Sequence, residues 1–167
     1  MKKLLFVIIL SLPFFMLGQT TEDVEYYESG EVKSKVKLLD GKGQGEEIQY
    51  YKSGKVLYIS NSLDNKRQGE AIEYYESGEV KAKDNYVDDK LQGEAIEYYK
   101  SGKVSYKSNY VDDKRQGEAI EYYESGAVQY KGNYVDGIQQ GEAISYTVKG
   151  GIEKIENYKD GVLINNK

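Results

Sequence analysis

The sequence contains no cysteine, no histidine and no tryptophan among its 167 residues, and only one proline. Without cysteine there is no disulfide framework and no thiol nucleophile, so hydrogen bonding and packing must stabilise the fold. Without histidine the chain lacks the commonest general base and a frequent transition-metal ligand. These absences argue against catalysis, and we expect no catalytic residue, no metal site and no cofactor.

Positive charge is also in short supply, because 23 Lys and Arg face 28 Asp and Glu, for a formal net charge of −5. Proteins that bind nucleic acid usually present a basic surface, so we expect no nucleic-acid partner. The acidic balance argues equally against simple electrostatic docking on anionic lipid.

The N-terminal segment differs in character from the rest of the chain. Lys2 and Lys3 precede an apolar run over residues 4–17, and Gly18 offers a small residue for cleavage. This order is typical of a secretory signal peptide, and the run is shorter than the roughly 20 residues of a membrane span. We therefore expect residues 1–18 to be removed and the product to be exported, periplasmic or extracellular, with no integral membrane span. An uncleaved N-terminal anchor is the alternative.

A period of 24 residues organises everything that follows. Glycines that we interpret as structural turn residues recur at this spacing, at Gly30, Gly54, Gly78, Gly102, Gly126 and Gly150. A second glycine series and an aspartate series share the period, which is typical of repeat architectures. The predicted repeat domain, residues 19–167, divides into units 21–44, 45–68, 69–92, 93–116, 117–140 and 141–164. The first and last units diverge most, as expected of the caps of an array.

Each unit is predicted to contain two strands. In unit three the first strand covers residues 70–75 and the second covers residues 80–87, both with alternation of period two. Strict alternation along the second strand would place Val80, Ala82 and Tyr86 on one face. Tyr, Val and Ile also favour strands, and no segment has the pattern of a helix.

Two turns connect these strands. The first turn ends in a glycine, such as Gly78, that can adopt the left-handed conformation of a tight hairpin. The second, which we call the aspartate turn, begins with an aspartate such as Asp88 and continues with Gly, Asn or Asp. Those three residue types tolerate positive φ better than most, so the second position is predicted to require it.

Successive hairpins of this kind predict an all-β fold, an elongated antiparallel β-meander of six tandem hairpin repeats in a single twisted sheet. The sequence provides no helix or second sheet to cover an apolar face. The 18 tyrosines are expected to supply much of the cross-strand stabilisation instead.

The unit pattern resembles a known repeat. Gly-Glu-Ala-Ile-Glu-Tyr-Tyr-x-Ser-Gly-x-Val, followed by Asn-Tyr-Val-Asp and then Gln-Gly, is similar to the MORN-repeat variant of bacterial YwqK-type antitoxin proteins. The resemblance covers the predicted repeat domain and implies hairpin repeats that serve as scaffolds, dimerising rods or membrane-associated modules. It also implies an antitoxin or immunity role, with a toxin, an envelope protein or a second copy of the chain as the protein partner.

The second tyrosine of each pair forms the candidate interaction surface. Tyrosine offers a large contact area at a low entropic cost, and these residues are expected on the face opposite to the first tyrosine of the pair. A purely structural role within the sheet is the alternative, and a glycan or cell-envelope ligand stacked on the rings is a second functional hypothesis. The candidate residues are Tyr27, Tyr51, Tyr75, Tyr99 and Tyr123.

Acidic side chains suggest two other kinds of site. The pair Asp88-Asp89 could attract calcium, but it lies in a turn that lacks the pattern of a calcium loop. The repeated glutamates Glu94 and Glu118 lack the two distinct environments that a glycosidase requires. We expect these glutamates to face lysines on neighbouring strands or the solvent.

Overall fold

The computed structural model describes residues 19–166, which form one antiparallel sheet of sixteen strands without any helix. This confirms the predicted β-meander of hairpin repeats. The segment interpreted as a signal peptide lies outside the described residues. Within residues 19–166, no helix is long and apolar enough to cross a membrane.

The strands follow one another across the sheet in chain order, apart from three strands of two residues that each pair with the strand before them. Each of these short strands is separated by a single glutamine from the strand that follows. The strands are β1 (Thr20–Tyr26), β2 (Val32–Leu39), β3 (Lys42–Tyr50), β4 (Val56–Leu63), β5 (Lys66–Arg67), β6 (Gly69–Tyr74), β7 (Val80–Val87), β8 (Lys90–Leu91), β9 (Gly93–Tyr98), β10 (Val104–Val111), β11 (Lys114–Arg115), β12 (Gly117–Tyr122), β13 (Val128–Val135), β14 (Ile138–Tyr146), β15 (Ile152–Lys159) and β16 (Val162–Asn166).

The aspartate turns require positive φ at both central positions. In unit three, Asp88 has φ of 51° and Asp89 has φ of 70°. Positive φ at both positions is the mark of a type I′ turn, whose twist matches that of the flanking strands. The prediction that the second position requires positive φ is confirmed. The aspartate at the first position, which occurs in all six units, also has positive φ.

The first turn of each unit closes with the glycine. In unit three, the Gly78 amide donates to the Tyr75 carbonyl at 2.8 Å, and the Tyr75 amide donates to the Glu79 carbonyl at 2.9 Å. Gly78 has φ of +108°, a conformation that L side chains rarely adopt. The equivalent glycine has positive φ in all six units.

A β-bulge follows this turn and corrects one expectation. Tyr74 pairs with Val80 whereas Glu73 pairs with Ala82, so Lys81 has no partner of its own. The extra residue reverses the alternation, because each added position moves the following side chains to the other face. Val80 therefore lies on the face opposite to Ala82, and the prediction that the two share a face was wrong.

Cross-strand pairing defines two faces of the sheet. The inner face, as we name it, includes the centres of the first strands, and its buried apolar residues are all alanines. Buried serines accompany them, and several depressions open on this side. The outer face carries isoleucine, lysine, asparagine and the first tyrosine of each pair. The buried inner-face residues include Ala71, Ala95, Ala119, Ala143, Ser60, Ser62 and Ser108.

Candidate functional site

The candidate interaction tyrosines link each unit to the next. The hydroxyl of Tyr75 donates to the backbone carbonyl of Tyr98, the first tyrosine of unit four, at 2.7 Å. Each ring is half-buried on the inner face, so both tyrosines of a pair contribute to packing. That these residues contact a partner stays a prediction. Because the hydroxyls are engaged in these bonds, a partner would contact the accessible part of the rings. The equivalent bonds are Tyr27 to Tyr50 at 2.6 Å, Tyr51 to Tyr74 at 2.7 Å, Tyr99 to Tyr122, and Tyr123 to Tyr146 at 2.7 Å.

We expect Tyr75→Phe to lower the free energy of unfolding by about 1 kcal/mol, because it removes a part-buried hydrogen bond and leaves the Tyr98 carbonyl without that donor. Tyr74→Phe is the matched control in the same unit, since its side chain lies on the outer face and makes no such bond between units. Urea unfolding followed by circular dichroism measures both. Equal effects of the two substitutions would contradict this assignment.

A glutamine forms the second link between units. In the last pair of units, the Gln140 side-chain amide donates to Asp160 Oδ1 at 3.0 Å, and the Asp160 amide donates to Gln140 Oε1 at 3.1 Å. The same two bonds join Gln116 to Asp136 at 2.9 and 3.2 Å. The sequence shows this glutamine in units one to five, but its role was not predicted, because its partner lies 20 residues away in the following turn.

The aspartate turn provides a third link. Asp89 Oδ1 accepts a hydrogen bond from the backbone amide of Arg67 at 2.9 Å, one unit earlier. Asn65 and Asp113 accept equivalent bonds at 2.6 and 2.7 Å. The side chain at the second position is therefore a hydrogen-bond acceptor as well as a residue that tolerates positive φ.

Ion pairs on the outer face confirm the expectation for the repeated glutamates. Lys107 pairs with Glu94 across the strands, and Lys131 lies 3.7 Å from Glu118. These side chains are substantially exposed, so the pairs contribute little to stability.

A row of alternating tyrosines and polar side chains crosses the inner face. Tyr58 lies between Gln49 and Glu73 on the neighbouring strands, and Tyr106 lies between Glu97 and Glu121. The sequence pattern did not identify this row, because the bulges shift which residues face inward.

Arginines stack on a second set of inner-face tyrosines near the aspartate turns. The Arg67 guanidinium lies 3.9 Å from the centroid of the Tyr86 ring, and Arg115 lies 4.9 Å from that of Tyr134. Burial, with the neighbouring Tyr58 and Asp84, raises the pKa of Tyr86 to about 12. The hydroxyl is therefore neutral at ordinary pH and can donate a hydrogen bond.

On the outer face, one exposed apolar residue precedes the aspartate turn in each of units one to five, and Lys159 stands at this position in unit six. In units one to four the cross-strand partner of the apolar residue is a lysine, as in the pair Val87–Lys90. In unit five the cross-strand partner of Val135 is Ile138. In unit six the partner of Lys159 is Val162. The apolar row consists of Leu39, Leu63, Val87, Val111 and Val135.

These observations define a tandem hairpin-repeat scaffold in which repeated side-chain bonds join each unit to its neighbour. The profile of the MORN repeat variant matches residues 44–64, 67–88, 91–112 and 115–136, together just over half of the chain. The chain therefore belongs to the MORN repeat variant family. MORN repeats are commonly non-catalytic modules that bind other molecules. A comparison with curated proteins found no match.

Proposed function

We propose that this protein is an exported, non-catalytic module that binds another protein. The observation that carries the proposal is a group of exposed apolar residues on the outer face of the last two units, Val135, Ile138 and Val162. These residues are exposed to 48%, 47% and 64%.

This patch lacks the lysine that follows the aspartate turn in units one to four, whereas Lys159 stands before the last turn, where units one to five have an apolar residue. Along units one to four, lysines such as Lys66 and Lys90 alternate with the apolar residues, and they pair with aspartates of the next turn at 3.8 and 3.2 Å. Ile138 and Val162 replace that lysine, and Ile138 Cγ2 lies against the turn at Gly161. An exposed apolar patch bordered by charged residues is typical of a protein–protein contact surface.

Two narrower roles follow from this proposal. The N-terminal sequence favours export, so the partner would be an envelope or secreted protein. The resemblance to antitoxin proteins favours an immunity role, in which the partner would be a toxin. In either role, the half-buried rings of Tyr75 and its equivalents would offer a separate contact surface on the inner face.

We expect the chain to capture a specific protein from envelope extract, and Ile138→Lys to abolish that capture. The substitution installs the lysine found at positions 42, 66, 90 and 114, so it should preserve the fold. Val148→Lys is the matched control, because Val148 is 56% exposed in a first turn and lysine stands at the equivalent positions 52 and 100. Mass spectrometry of the bound fraction identifies the partner.

Loss of capture with both variants, or with neither, would contradict the proposed patch. Recovery of further copies of the chain alone would identify a self-associating module instead. In that case, analytical ultracentrifugation of the Ile138→Lys variant should show a monomer.

A glycan ligand is the second candidate, and the inner-face row favours it. Tyr58, Tyr106 and Tyr130 are spaced along the inner face with polar neighbours, an arrangement in which aromatic rings can stack on sugars. A glycan array separates the two functions. Recovery of a polysaccharide without any protein partner would rule out the first.

A further inference from the structure

Unit three departs from its neighbours at two inner-face positions. Ala82 stands where units two, four and five have tyrosine, and Asp84 stands where those units have serine or glycine. The first difference removes a ring from the inner-face row, and the second adds a carboxylate beside the glutamates that already alternate with the rings of that row. Among units two to five, the row of rings is therefore interrupted only in unit three.

Acidic side chains surround the gap left by the missing ring. Ala82 pairs with Glu73 on one neighbouring strand and with Glu97 on the other. Asp84 lies two residues further along β7 and is paired with Ala71, which is 2% exposed. Two depressions, of about 600 and 380 Å³, meet at this point, because Asp84 and Glu73 line both of them.

Positive charge balances only part of this acidity. The Lys81 ammonium pairs with Glu73 at 2.8 Å. Burial, reinforced by Glu97 and Glu73, raises the pKa of Asp84, and Arg67 offsets this only in part. A cation placed near Asp84 would relieve that repulsion, since an opposite charge favours the ionised carboxylate.

A buried hydroxyl without a partner lies beside this gap. Like its equivalent Ser108 in unit four, Ser60 is buried, with 1% exposed, and its Oγ has no hydrogen-bond partner among residues 19–166. It lines the larger depression together with Asp84 and Glu73. A buried polar group without a partner costs about 1–3 kcal/mol, so a ligand that satisfies it gains affinity.

We infer that this unit-three pocket, lined by Ser60, Glu73, Ala82, Asp84 and Glu97, binds an arginine or lysine side chain of the protein partner. The inference rests on the proposed function. Within the described residues, no group of three acidic side chains could hold a metal ion, which favours an organic cation. The rings of Tyr75, Tyr106 and Tyr110 line the smaller depression and can receive such a cation on their faces.

The test uses the intact chain and two synthetic tripeptides, acetyl-Gly-Arg-Gly-amide and the same peptide with citrulline, which has the shape of arginine without its charge. Titration is followed by NMR chemical shifts at low salt. We expect the arginine peptide to shift the resonances of units two to four, and the citrulline peptide to bind at least about tenfold more weakly. Equal binding of the two peptides would overturn the inference.

Two variants locate the site. Ala82→Tyr restores the residue of units two, four and five, so it should keep the fold while its ring fills the gap and abolishes binding. Asp84→Asn should weaken binding about tenfold, because it removes the charge with little change of shape. Glu118→Gln, the same change of charge on the outer face, should leave binding intact.

Retention of binding by Ala82→Tyr would overturn the proposed pocket, provided that its thermal unfolding matches that of the unmodified chain. Tighter binding of a diglucosamine probe than of the arginine peptide, abolished by Asp84→Asn, would assign the site to an amino sugar and also overturn the inference. Failure of the pocket is separable from failure of the proposed function. Capture of the protein partner by the Ala82→Tyr variant, with loss in Ile138→Lys, would leave the outer-face patch standing.

Discussion

Replacing Gly78 by valine is expected to lower the free energy of unfolding by about 3 kcal/mol. Gly78 has φ of +108°, where a β-branched side chain is strained, while an added Cβ would meet no atom within 4 Å. The cost therefore comes from backbone conformation rather than from a clash. Because each unit bonds to the next, hydrogen exchange should accelerate in units two and four as well as in unit three.

Glu79→Val is the control for this substitution. It adds the same side chain one residue later, at an exposed position without positive φ, and should change stability by less than about 0.5 kcal/mol. Urea unfolding compares the two variants. A Gly78→Val protein as stable as the unmodified chain would show that the first turn does not require its glycine.

Deletion of residues 69–92 is expected to leave a folded protein of five units. The junction brings Gln68 next to Gly93, and the three links between units re-form with residues of the same type: Tyr51 with the Tyr98 carbonyl, Gln68 with Asp112, and Arg67 with Asp113. Stability should fall only by the contribution of one unit and one interface.

Deletion of residues 69–80 is expected to abolish the fold around the junction. It removes one strand, the first turn of unit three and the first residue of β7, so Gln68 is followed directly by the rest of β7 from Lys81. The chain direction of every later strand is then reversed relative to units one and two, and the links between units cannot re-form. Circular dichroism and heteronuclear NMR compare the two deletions. A cooperative unfolding transition of equal midpoint in both would contradict the repeat boundaries.

The period and the turn chemistry made most of the fold predictable from the sequence. Alternation in β6 and β7, glycine at Gly78 and the Asp88-Asp89 turn are local signals, and the structure retains each of them. The bulge at Lys81 was not predictable, because one extra residue leaves the composition of the strand unchanged. That single irregularity was enough to misplace Val80.

The candidate site was less predictable than the fold. Tyr75 was correctly placed on the face opposite to Tyr74, but its bond to the Tyr98 carbonyl depends on the geometry of the next unit. The pocket around Asp84 is visible in the sequence only as a departure from the repeat. Its acidic surroundings become visible only from the strand pairing, which places Ala82 between Glu73 and Glu97.

The links between units have a consequence for how the chain folds. The hydrogen bonds that Tyr75 and Gln140 donate and that Asp89 accepts join residues only 23, 20 and 22 positions apart in the sequence. The sequence separation between these partners is small, so closing each loop costs little entropy and does not depend on the distant end of the chain. Each hairpin can therefore dock on its predecessor without waiting for the rest of the chain, and the sheet can be completed from the N-terminal unit onwards.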